Sequence, residues 1–135
     1  MTRKVLQPAG WPRPKGYANG IAAQIGASGR MVFTAGVVGW NEDEKFAAKD
    51  LAGQFRQALL NTRAILKEGG AEPSDIVRMT CYVTDKKEYL ASAAEIGGAW
   101  RDVFGKVFPC MALVQVVALV EDEAKIEIET TAVVS

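Results

Sequence analysis

Apolar and polar positions recur along this chain with enough regularity to lay out its elements. The densest apolar stretch is Pro109-Cys110-Met111-Ala112-Leu113-Val114-Gln115-Val116-Val117-Ala118-Leu119. It predicts a strand buried on both faces, at the centre of a covered sheet. After a polar break at Val120–Ala124, Ile126, Ile128 and Thr130 alternate with Lys125, Glu127 and Glu129. That period of two predicts a strand with one wetter face.

The earlier chain divides in the same way. Val5-Leu6 is a short apolar piece, and Pro8, Pro12 and Pro14 exclude a helix around it. Trp11, between those prolines, is expected to pack on the domain. Tyr17–Gly26 is weakly strand-like and Arg30–Val38 strongly so, and the Gly26-Ala27-Ser28-Gly29 turn between them predicts a hairpin. Gly36, inside the second strand, predicts a bulge or a close backbone approach. Beyond the polar connection Gly39–Lys45, a helix is predicted from Asp50 to Lys67. Its buried stripe is Leu51, Phe55, Leu59, Thr62, Ile65 and Leu66, with Gln54, Arg56, Gln57, Asn61 and Lys67 on the solvated face. Gly69-Gly70 ends it.

Pro73-Ser74-Asp75 leads into a strand, Ile76–Thr84, with Val77, Met79, Cys81 and Val83 pointing inward. Asp85 then caps a second helix, and Glu88 is placed to complete a capping box. Tyr89, Leu90, Ala93, Ile96, Trp100, Val103 and Phe104 form its buried stripe, and Gly97-Gly98 predicts that something packs close. The order β-β-β-α-β-α-β-β is that of an α+β fold, about six strands with two helices on one face. Strands apolar on both sides leave the other face to be buried by a further subunit.

Composition narrows the chemistry. The 135 residues make a single domain, 1–135, large enough to bury a core without staples. Sixteen basic and sixteen acidic residues balance, so neither a nucleic-acid footprint nor a polybasic membrane patch is visible. Histidine is absent, which removes the commonest general acid/base and the commonest metal ligand. Cys81 and Cys110 both fall in apolar runs and read as buried free thiols in a reducing compartment. The N-terminal Met1–Pro8 has no apolar signal region, and no segment approaches a membrane span, so a cytoplasmic protein is expected. Phosphate-loop, nucleophile-elbow and metal-spacing motifs are missing, and no metal or other cofactor is expected.

Several of these segments together resemble one family. They are Gly16-Tyr17, Phe33-Thr34-Ala35-Gly36, Asp75–Asp85, and Phe108-Pro109 through Val114-Gln115-Val116 to Lys125-Ile126-Glu127-Ile128-Glu129. The family is RidA/YjgF, the reactive-intermediate (enamine/imine) deaminases, also called endoribonuclease L-PSP-like. The resemblance implies a chorismate-mutase-like fold and a homotrimer with small-molecule clefts between subunits. It implies catalytic roles for Glu127 and Tyr17, and substrate binding at Ala35, Gly36, Met111, Trp100 and Gln115.

Met111 departs from the family pattern. Active members carry an arginine there, two residues after the proline, to grip the substrate carboxylate. A thioether reproduces neither the charge nor the fork geometry of a guanidinium. The expectation is an imine deaminase acting on a substrate other than the usual 2-imino acids. The alternative is a non-catalytic trimeric binding protein of the same family. Ribonuclease chemistry lacks both a histidine pair and a basic groove.

Overall fold

The computed structural model describes residues 3–135. Met1 and Thr2, part of the stretch read above for a signal segment, lie outside the described residues. The elements are β1 (Arg3–Leu6), β2 (Gly20–Ile25), β3 (Gly29–Thr34), β4 (Val37–Val38), α1 (Leu51–Glu68), β5 (Ile76–Val83), α2 (Lys86–Ala91), α3 (Ala93–Val103), β6 (Cys110–Gln115) and β7 (Ile126–Val134). A single 3-10 turn, Pro73–Asp75, precedes β5. Among the described residues the strands form one sheet in the order β1-β2-β3-β7-β5-β6, with β4 also paired to β7. Every pairing is antiparallel except β5 with β6.

The α+β class and the helix-covered sheet agree with expectation, and the details differ for local reasons. The strand predicted through Val38 breaks at Ala35-Gly36, giving a seventh strand. β3 pairs with Thr131–Val134 and β4 with Glu127 and Ile128, so three residues, Thr34 to Gly36, span two on β7. The Thr34 hydroxyl fills the gap by accepting from the Thr130 N–H at 3.0 Å and donating to the Ala35 carbonyl at 2.8 Å. The second predicted helix is two, α2 and α3, meeting at Ser92. The hairpin forms as expected, with Ile25 opposite Gly29 and Gly26 at φ +65° in the turn.

The core lies between the helices and one sheet face. Ile126, Ile128, Thr130 and Ala132 of β7 point into it, as do Met79, Cys81 and Val83 of β5, Val32, Ala22 and Leu6. They meet the α1 stripe of Leu51, Phe55, Leu59, Ile65 and Leu66, each of which contributes about 1.5–3 kcal/mol by leaving water. Trp11 packs against this core from the N-terminal loop. A slip in the β5–β7 register between Ile76 and Arg78 buries Ile76 and turns Val77 outward, contrary to the predicted alternation.

Three expectations about α1 and α2 are corrected. Gln54 and Asn61 are buried rather than solvated. Gln54 Nε2 donates to the carbonyls of Ala48 and Glu123, and its Oε1 accepts from the Lys125 N–H at 2.8 Å. The side-chain amides satisfy loop backbone groups that no strand reaches. Asp85 does cap α2, but Glu88 turns away from the capping box. Its carboxylate takes the Lys125 ammonium at 2.9 and 3.0 Å and the Leu51 N–H at 3.2 Å, tying α1, α2 and β7 together. Among the described residues nothing packs on Gly98, and only the Arg101 guanidinium comes near Gly97.

The largest correction concerns the apolar run that opened the sequence reading. Among the described residues β6 is an edge strand, paired only to β5, and its residues are exposed or half-exposed rather than buried on both faces. Val117 and Val120 beyond it are almost wholly in solvent, as is Phe108 before it. Cys110 is likewise exposed, not buried. The side of the sheet away from the helices also presents Val5, Ile25, Phe33, Val114 and Val133.

Candidate active site

The break between β3 and β4 brings several of the sequence-predicted residues together. Tyr17, Ala35 and Gly36 line one crevice with Trp11, Asn19, Trp40 and Asn61. The N-terminal loop is held over it by a short relay. Gln7 donates to the Trp11 carbonyl at 3.0 Å, Asn19 donates to Gln7 Oε1 at 3.0 Å, and the Ala35 N–H donates to the Asn19 carbonyl at 2.8 Å. From α1, Asn61 Nδ2 donates to the Val38 and Trp40 carbonyls at 3.1 and 2.7 Å. Gln57 fixes Asn61 in turn, donating to its Oδ1 at 2.9 Å.

Glu127 reaches the strand break from β7. A methyl group built on Gly36 would lie 2.7 Å from Glu127 Cδ, so only glycine lets the carboxylate rest there. This close approach is the one predicted for Gly36. Burial pushes the Glu127 carboxyl above the usual glutamate range, and the neighbouring Glu129 charge adds to the rise. Glu129 accepts a 2.6 Å hydrogen bond from the Tyr82 hydroxyl. Tyr82 stands directly opposite Glu127 on β5, and its own pKa is raised, first by that bond. Tyr17 is raised too, by burial and then by the charges of Glu44 and Glu121. A partly desolvated carboxylate of this kind can serve as a general base and then as a general acid.

The other candidates stand apart. In the sheet register Val114, not Met111, shares the row of Tyr82 and Glu127. Met111 pairs with Met79 on the helix-facing side, its sulfur 3.7 Å from the buried Cys81 thiol. Trp100 belongs to the helix layer, edge-on to Phe104 at 5.0 Å and donating to the Val107 carbonyl at 3.0 Å. Gln115 Oε1 accepts from the Lys86 N–H at 2.8 Å, at the start of α2. Burial pushes the Cys81 thiol up to about 12, which makes it a poor nucleophile.

Asn61 and Trp40 were missed in the sequence, although a signal for Asn61 was present. Gln54, Ala58, Asn61 and Ile65 recur at steps of four, three and four, the same period as the apolar stripe. Within one chain the crevice has room for about 30 Å³, enough for a water molecule and too little for a substrate.

Comparisons with known proteins agree with this architecture. The endoribonuclease L-PSP family model matches residues 14–134. A RutC family protein of Pasteurella multocida is 32% identical over 105 residues, covering 78% of this chain and 81% of that protein. The 2-iminobutanoate/2-iminopropanoate deaminase of Salmonella typhimurium is 33% identical over 105 residues, covering 78% and 80% respectively. The crystal structure of Escherichia coli TdcF with bound serine superimposes with a TM-score of 0.77 at 31% identity, covering 98% of this chain and 99% of that one.

Proposed function

The chain belongs to the endoribonuclease L-PSP family, the RidA/YjgF proteins, and on that premise we propose that it hydrolyses a reactive imine to a carbonyl compound and ammonia. The observation that carries this reading is the Glu127 carboxylate, partly desolvated and lodged against Gly36 at a break in the sheet. Glu127 takes a proton from water as the oxygen adds to the imine carbon. The imine reacts in its protonated form, so the carbon–nitrogen double bond becomes single and a neutral carbinolamine results while Glu127 holds the water proton. Glu127 then returns its proton to the nitrogen and the carbon–nitrogen bond breaks. The hydroxyl proton passes to the departing ammonia, which leaves as ammonium while the carbonyl forms and Glu127 is again a carboxylate.

The substrate differs from the usual 2-imino acids, because Met111 occupies the position of the carboxylate-gripping arginine. Tyr17, Ala35 and Gly36 bind beside Glu127, and Met111, Trp100 and Gln115 contribute from a neighbouring copy. Three features support clefts shared in a homotrimer. The crevice of one chain holds only water, Met111 lies on the opposite sheet face from Glu127, and the apolar β6 edge is uncovered. Two free thiols fit a cytoplasmic setting.

Replacing Glu127 by Gln tests the reading. Ammonia release from a panel of imines is expected to fall about 100-fold or more, with ligand binding retained. An unchanged rate would remove Glu127 from the mechanism. The Met111 substitution also favours a second reading, a trimeric binding protein that keeps the cleft without the chemistry. That reading wins if no imine in the panel is turned over while a small ligand still binds.

A further inference from the structure

The crevice beside Glu127 has a character of its own. Its walls are the rings of Trp11, Tyr17 and Trp40, and its outer part is lined by Glu42 and Glu44 together with Asn41. No lysine or arginine is among its lining residues in the described chain. Glu121, from the loop before β7, acts on the same tyrosine hydroxyl as Glu44, so two acidic loops converge on Tyr17. Of the cations in those loops, Lys49 pairs with Glu123 at 3.2 Å and Lys125 with Glu88 at 2.9 Å, while Lys45 adjoins Glu44 without lining the crevice. Arg13 and Lys15 share the loop of Tyr17 without lining the crevice.

Resting on the reading of this crevice as one wall of the shared reaction cleft, we infer that the substrate of that cleft is a cationic or amine-bearing imine with a flat apolar body, rather than a carboxylate. Aromatic faces attract cations and are indifferent or unfavourable to anions. Carboxylates at the mouth raise the local concentration of positive ligands and repel negative ones. The missing guanidinium and the acidic aromatic lining thus select the same way. The acidic residues do not make the site; they decide which charge it accepts.

Three ligands of nearly one shape test this: phenethylamine, phenylacetate and neutral phenylacetamide. Binding to the full-length protein is followed by calorimetry and by amide chemical shifts at about pH 8. Phenethylamine should bind about 10-fold more tightly than phenylacetate in low salt, and the gap should shrink several-fold at about 0.5 M salt. The pair Glu44→Gln and Glu121→Gln should narrow the gap while leaving phenylacetamide affinity unchanged. Equal or tighter binding of phenylacetate, binding by none of the three, or a preference indifferent to both salt and the glutamine pair would overturn the inference. None of these readouts requires turnover. An active Glu127→Gln enzyme would therefore sink the catalytic reading while the charge preference stood, and the reverse outcome is equally legible.

Discussion

The carboxylate of Glu127 and the α-carbon of Gly36 touch across the break between β3 and β4, with no room between them for a methyl group. Gly36→Ala is therefore expected to displace Glu127 or open the break. Overpacking of this kind costs about 1–3 kcal/mol, read in urea denaturation. Ammonia release should drop about 10-fold or more, because a displacement of even about 1 Å takes a catalytic group out of reach. Wild-type activity in the alanine variant would show that the contact is not needed.

The acid limb of the pH–rate profile reports the same carboxylate. Since the Glu127 pKa is raised, the limb should lie above the ordinary glutamate range, and Glu129→Gln should move it down by removing a neighbouring negative charge. Stability follows with a definite sign. A raised folded-state pKa gives a contribution that is complete below the unfolded value and is lost as pH rises through the folded one. Wild type should thus weaken relative to Glu127→Gln across that window. Melting temperatures of the two proteins measured over the window check it.

Glu88 joins three elements through the Lys125 ammonium and the Leu51 N–H. Glu88→Ala should cost about 1–2 kcal/mol in chemical denaturation, since it leaves a half-buried ammonium and a helix-terminal N–H without partners. A surface ion pair alone would cost under about 1 kcal/mol, so the size of the loss separates the two descriptions.

Asn61→Leu removes both donors that hold the Val38 and Trp40 carbonyls. One buried and one part-buried carbonyl deprived of this donor should cost about 1–3 kcal/mol. The Trp40 indole NMR signal should also broaden as the crevice wall loosens. Asn61→Ser, which keeps a hydroxyl donor, should recover part of the loss.

The uncovered β6 edge predicts self-association, and the family resemblance implies three copies. Light scattering on the intact protein should give a trimer, and Val114→Glu, on the exposed face of that strand, should shift it toward monomer while circular dichroism stays native. A monomeric wild type would refute the shared cleft.

Much of the architecture was legible because period and punctuation agree in this chain. The alternation Ile126, Ile128, Thr130 fixes which face of β7 is buried, and Asp50 and Gly69-Gly70 bracket α1 where expected. The helix break at Ser92 was not legible, since the apolar stripe runs on through it. The edge position of β6 was hidden for a different reason. A run apolar on both sides looks the same whether neighbouring strands, helices or another copy cover it. For the site, Gly36 announced a close approach without naming its partner, and Glu127 on pattern alone resembles Lys125 and Glu129 on either side of it. Only the three-against-two mismatch at the strand break sets it apart, and that mismatch lives in pairing between residues almost a hundred positions apart.

The parallel pairing of β6 has a consequence for how this chain survives its own synthesis. The chain returns to β5 through a crossover that carries α2 and α3, and β6 then offers an open row of backbone donors and acceptors near Val114, Val117 and Val120. Such an edge is a template for indiscriminate strand addition. Soluble yield then becomes a race between two second-order encounters, one with a correct copy and one with any other exposed edge. Slow expression and prompt dilution should recover more native protein than strong induction, even though the folded domain itself is unchanged.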